Sequence, residues 1–199
     1  MNTRVTSSSS VPSVGPLPTA YTTWPFWLIV ALVVAFDFVT KTMAVEALSP
    51  RHVPHRIIGD VVRFTLAYNP GAAFGMHLGP ASRWIFGVLS VVIVAVLLRT
   101  TAELTQWSKL ASIGVPVVIG GAIGNLVDRV RQRDGVVDFI DIGVGDVRFW
   151  TFNVADSAVT VGAICLVLAL WQQEREQMAR DKARGDVGQG DTATGSSRS

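Results

Sequence analysis

Charge is scarce in this chain, and what there is nearly cancels. Asp, Glu, Lys and Arg make up 16% of 199 residues, 17 basic against 15 acidic, for a net charge of +2. Without a basic stripe there is nothing to neutralise a phosphate backbone, so nucleic acid is excluded as a partner. Cysteine is almost absent. Cys165 stands alone in an apolar run, so no intrachain disulfide forms and it reads as a small buried hydrophobe. Histidine is equally sparse. His52 and His55 lie in a stretch without helical pattern, and no Glu accompanies them as in a zinc-protease helix. They read as surface histidines, and neither a metal nor another cofactor is expected. The first 23 residues carry one charge, Arg4, and lack the basic start and small-residue cleavage site of a signal peptide. Their Ser, Thr and Pro content reads as a disordered extension.

Apolar length is what the chain does have. Hydrophobic residues reach 49% and the mean hydropathy is +0.41, the balance of a one-domain integral membrane protein. Residues 24–45, 81–98, 110–127 and 153–173 approach the roughly 20 residues that a bilayer-spanning helix needs. Pro25 suits a first helical turn, and Gly120 with Gly124 makes a small face for close helix packing. Between the first two spans, Val62, Phe64, Leu66 and Tyr68 alternate with Arg63, Thr65 and Ala67, the period of a half-buried strand. The strand runs into Asn69-Pro70-Gly71-Ala72-Ala73-Phe74-Gly75, either an ordinary turn or a place where backbone closely approaches something else. Residues 99–109 read as a short polar loop, and residues 174–199 as a charged, disordered tail. The expected fold is an all-α membrane protein of four transmembrane helices with a small β region. Its body is residues 24–173, flanked by the 1–23 and 174–199 tails. Lys and Arg divide evenly between the two sides of such a bundle, so they do not orient it.

Carboxylates concentrate where they are least expected. Between Gly120 and Ala158 stand Asp128, Asp134, Asp138, Asp141, Asp146 and Asp156. Asp138 sits in Val136-Val137-Asp138-Phe139-Ile140, and Asp156 in Phe152-Asn153-Val154-Ala155-Asp156, where the fourth span begins. Ionisable groups at membrane depth mark functional sites. Two carboxylates in an apolar site cannot both ionise cheaply. One keeps a proton and polarises a carbonyl while the other takes a proton from water. Asp138 with Asp156 fits that chemistry. Asp128 with Asp156 competes, and a non-catalytic role stays open. Arg129, next to Asp128, is a candidate ion-pair partner that would make Asp128 structural. Asp141 and Asp146, among glycines, read as solvated loop residues. Asp37 and Lys41 share a helix face and form either a pair that snorkels to the interface or a clamp under a polar site. Asn69 and Asn125 are placed to hold an unwound peptide through their amides. Asn153 does the same or caps the fourth helix.

Five segments, in order among four spans, resemble the lipoprotein signal peptidases (signal peptidase II) of bacteria. They are Asp37-Phe38-Val39-Thr40-Lys41, Asn69–Gly75, Gly120–Arg129, Val136–Ile140 and Phe152–Ser157. The resemblance covers residues 24–173. It implies an intramembrane aspartic endopeptidase that removes signal peptides from prolipoproteins, cutting just before a cysteine that carries diacylglycerol. It also implies Asp138 and Asp156 as the catalytic pair. Asn69, Gly71, Asn125, Asp128, Arg129, Asn153, Asp37 and Lys41 become substrate-binding or supporting residues. The protein is then a monomer in the bacterial inner membrane, in contact with membrane lipids. Both termini lie in the cytoplasm, and the β region and active site are extracytoplasmic. The non-enzyme alternative is a four-helix transporter or channel with Asp37, Lys41, Asp128 and Asp156 along an ion path.

Overall fold

The computed structural model describes residues 23–73, 76–77, 79–106 and 108–194. Four helices form, α1 Trp24–Ala47, α2 Ser82–Thr105, α3 Lys109–Arg131 and α4 Val154–Thr194. Each is long and apolar enough to cross a membrane, α4 over Val154–Arg180. The expected all-α membrane fold with a small antiparallel sheet is the one the chain adopts.

Helix α3 is the centre of the bundle, packed against α1, α2 and α4. Lipid tails are as apolar as leucine, so close backbone approach has to drive this packing. The α3 sequence supplies it. A Cβ on Gly120 would fall 2.7 Å from Val33 Cβ of α1, and one on Gly121 only 2.5 Å from the Ala155 carbonyl of α4. Helix α2 touches little but α3 and turns Ile85, Val88, Val91, Val92 and Val96 outward.

Two helices outrun the expected spans. Helix α2 continues through the segment read as a polar loop and stops at Thr105. The hydroxyls of Thr100, Thr101 and Thr105 bond to carbonyls one turn back, which spares those polar groups an outside partner. Helix α4 runs to Thr194, where a disordered tail was expected from residue 174. Gln, Glu, Arg, Met and Ala dominate residues 172–180, all strong helix formers, and Glu176 pairs with Arg180 one turn on at 3.5 Å. Residues 1–22 and 195–199, the remainder of the two proposed tails, lie outside the described residues.

Beyond the ends of α1 and α3 sits a sheet of β1 Pro54–Ile58, β2 Val62–Asn69, β5 Val136–Val144 and β6 Val147–Arg148, in that order and antiparallel. Two short strands, β3 Ala72–Ala73 and β4 Met76–His77, pair separately. Strand β2 lies where the alternation placed it, whereas β5 was not legible as a strand. Leu66, Val137 and Phe139 pack on Ala44 of α1 and on Leu48, which caps it. Side chains alternate across a strand, so Asp138, between Val137 and Phe139, is turned the other way. The β2–β5 register places Ala67 opposite Asp138 and Asn69 opposite Val136. Asp141 is not a solvated loop residue. It lies in β5, 8% exposed, where Arg148 Nε donates to it at 2.8 Å and Thr65 Oγ1 at 3.1 Å. Asp146 is exposed in the β5–β6 turn, and His52 and His55 are exposed as expected.

Glycine is required at two junctions. Gly135, between α3 and β5, has φ +116°, and a Cβ there would meet the Asn69 carbonyl at 2.1 Å. Gly71 has φ +115°, and its Cβ would meet Ser82 Cβ at 2.7 Å. The close approach anticipated for the Asn69–Gly75 segment is therefore to the start of α2.

Candidate active site

Asp138 arrives on β5 and Asp156 on the first turn of α4, and Asn153 joins them. A helix start leaves N–H groups without partners. Here Asn153 Oδ1 accepts from Asp156 N at 3.0 Å, while Asp156 Oδ2 accepts from Asn153 N at 3.2 Å, a reciprocal cap. Capping α4 thus fixes the Asp156 side chain. The Asn153 amide nitrogen then donates to Asp138 Oδ1 at 2.7 Å, Asn125 Oδ1 at 3.1 Å and the Val137 carbonyl at 3.2 Å. Of the two roles the sequence left open for Asn153, the structure shows the cap. Fully buried and lining no part of the cavity, its amide is spent on the acids and their supports and not on a substrate peptide.

Asn125 is the second bridge. Its Nδ2 donates to Asp156 Oδ1 at 2.7 Å and its Oδ1 accepts from Lys41 Nζ at 3.0 Å. Asn69 reaches Asp138 from the β2 side, and its Oδ1 accepts from Gly71 N at 3.0 Å. Beneath this layer, Lys41 Nζ also meets Asp37 Oδ2 at 2.8 Å and Asp128 Oδ2 at 3.0 Å. Asp37 is 1% exposed and Lys41 3%, which rules out snorkelling and leaves the clamp. Asp37 Oδ1 holds the N–H of Ala155 at 2.8 Å, and Asp128 Oδ2 holds that of Val137 at 3.1 Å.

The expected Asp128–Arg129 ion pair does not form. Successive helical residues point about 100° apart, so chain neighbours do not face one another. Asp128 turns to Lys41 on α1. Arg129 Nη1 instead donates to the Asn125 carbonyl at 3.1 Å, and its buried Nε has no hydrogen-bond partner. Arg83 of α2 bonds the Arg129 carbonyl and holds the end of α3.

Asp138 is 2% exposed. Burial first, and then the nearby Asp156 charge, push its carboxyl up to about 7, against the hydrogen bonds from Asn153 and Asn69. Asp156 is half-buried and accepts on both oxygens. Both acids open onto a cavity of about 560 Å3 that Asn69, Asn125 and Arg129 also line. Phe86 of α2, Val161 of α4 and residues Phe149–Phe152 also line it. These aromatics went unnoticed in the sequence. The available signal was the run Phe149-Trp150-Thr151-Phe152 directly before Asn153, now held over the acids by Phe152 hydrogen bonds to Ile140 in both directions. Among the described residues no cluster of His, Cys, Asp or Glu is grouped to hold a metal ion. One protonated and one accepting carboxyl beside an open cavity can activate a water and polarise a carbonyl together.

Residues 29–172 match the family described as signal peptidase (SPase) II. A lipoprotein signal peptidase of Halothermothrix orenii is 38% identical over 151 residues, covering 75% of this chain and 97% of that one. One from Mycobacterium leprae is 38% identical over 167 residues, covering 80% and 78% respectively. A bacterial membrane enzyme solved by the in meso method at 2.3 Å resolution superposes with a TM-score of 0.66 at 30% identity, covering 75% of this chain and 89% of that one. With most of its length matched in both sequence and fold, the chain belongs to the signal peptidase II family.

Proposed function

We propose that this protein is an intramembrane aspartic endopeptidase that removes signal peptides from diacylglyceryl-modified prolipoproteins, cutting just before the lipidated cysteine. The observation that carries the reading is that Asp138 and Asp156, from different elements, face one cavity and share Asn153.

The pair shares one proton, and deeper burial makes Asp138 the member that keeps it. Asp156 removes a proton from a water whose oxygen attacks the scissile carbonyl, while Asp138 donates to the carbonyl oxygen. The tetrahedral intermediate collapses as the C–N bond breaks. Asp156 passes its new proton to the nitrogen of the departing cysteine, and Asp138 takes one back from a hydroxyl of the intermediate, leaving a carboxylic acid and restoring the pair. A helical substrate hides its carbonyls in i→i−4 bonds, so the cleaved segment enters unwound. Asn69, Asn125 and Arg129, which line the cavity, supply partners for that backbone. Helices α2 and α4 have little mutual packing, and their edges bound the cavity. The substrate's apolar helix and acyl chains enter there from the bilayer. In this reading both termini are cytoplasmic, the sheet and site are extracytoplasmic, and the enzyme acts as a monomer.

The test is cleavage of a diacylated prolipoprotein in detergent by Asp138→Asn and Asp156→Asn. Each keeps the side-chain shape and removes a titrating oxygen, so each should be inactive by at least about a thousandfold. Near-wild-type cleavage by either folded variant would remove that residue from the chemistry.

A further inference from the structure

We propose that Lys41 is the positioning residue of the catalytic pair, setting the placement of Asp138 and Asp156 from a helix that lines no part of their cavity. The inference rests on the aspartic endopeptidase reading. An ammonium has three protons, and here each has its own acceptor: Asp37 Oδ2 at 2.8 Å, Asp128 Oδ2 at 3.0 Å and Asn125 Oδ1 at 3.0 Å. Each acceptor continues toward the acids. Asp37 holds the N–H of Ala155, the residue before Asp156. Asp128 holds the N–H of Val137, the residue before Asp138. Asn125 holds the Asp156 carboxyl itself. One side chain thereby ties together β5, α3 and the start of α4, the elements that carry the acids and their bridge.

Two consequences separate this role from simple charge balance. An Asn amide can turn over, exchanging its oxygen and nitrogen. The Lys41 proton on Asn125 Oδ1, joined there by the Asn153 amide at 3.1 Å, keeps the amide nitrogen toward Asp156, and a reversed amide would set oxygen against carboxylate. Lys41 also has no surface on the cavity, which no α1 residue lines. It therefore acts on the acids and not on the substrate.

The experiment compares Lys41→Met with the triple variant Lys41→Met/Asp37→Asn/Asp128→Asn. The triple variant removes the two stranded carboxylates yet keeps an acceptor oxygen for Ala155 and Val137. Thermal melting in detergent and steady-state kinetics on a diacylated prolipoprotein are measured for both. The single variant should lose stability and activity together. The triple variant should recover wild-type melting while kcat stays at least about thirtyfold down and KM within about threefold. Wild-type kcat in the triple variant would reduce Lys41 to a counter-ion and overturn the proposal. A raised KM with kcat intact would place Lys41 on the substrate, and failure of both variants to fold would make it a folding residue; either result also overturns it. Failure of the wild-type protein to cleave the substrate would instead strike the endopeptidase reading itself.

Discussion

Asn153 is fully buried, and every polar atom of its side chain is engaged. Its amide gives Asp138 a donor, but not enough to offset burial, and that imbalance has a measurable thermal consequence. Folded Asp138 keeps its proton to about 7, whereas an ordinary aspartate releases it near 3.8. Between those values the native state binds more protons than the unfolded chain, so stability falls as pH rises through the window. The penalty is absent below 3.8 and complete above about 7. It amounts to roughly 4 kcal/mol at most. Asp138→Asn should therefore melt above wild type near pH 8, with the gap closing as pH is lowered toward about 4, as differential scanning calorimetry in detergent would read. An unchanged gap across that range would mean Asp138 titrates normally. The two acids were legible because a carboxylate amid Val, Phe, Ile and Ala needs a reason to be there. The partner of Asp128 was not legible. Arg129 is adjacent in sequence but faces elsewhere, while Lys41 is remote in sequence and in contact.

Spans and strands were readable in proportion to how regular their patterns are. The α1 and α3 apolar runs and the β2 alternation stand out in the letters. Strand β5 does not, because Asp138 and Asp141 break its apolar pattern, and Asp141 finds its counter-charge across the hairpin in Arg148. Helix α3 depends on missing side chains as much as on those present. Adding one methyl in Gly121→Ala would press a Cβ to 2.5 Å from the Ala155 carbonyl, a backbone atom that cannot swing away. Overpacking of this kind costs about 1–3 kcal/mol. It would also push the start of α4, and Asp156 with it, off α3. Gly121→Ala should lower both the melting temperature and kcat. Gly87→Ala, with nothing nearer than 3.8 Å to the new Cβ, should leave both near wild type. Equal effects from the two would argue against the α3–α4 contact as the cause.

The bundle is lopsided: α3 is enclosed by the other helices, while α2 is anchored to little else. If substrate enters between α2 and α4, joining their edges should bar it. Cysteines at Phe86 and Val161, in a Cys165→Ala background, linked by a short bis-maleimide, should cut turnover of full-length lipidated substrate by at least about tenfold. The unlinked double mutant is the control, and full activity after linkage would place the entry elsewhere. The clamp beneath the acids also bears on how the chain is made. Asp37 and Lys41 pair within one helix, four residues apart at 2.8 Å, so α1 carries its own counter-ion into the bilayer. Asp128 has no such companion in α3 and draws its cation from α1. The Asp128 carboxylate thus meets its ammonium by the docking of α3 on α1, and the two cavity acids, which follow α3 in the chain, are made after the helices that will hold them.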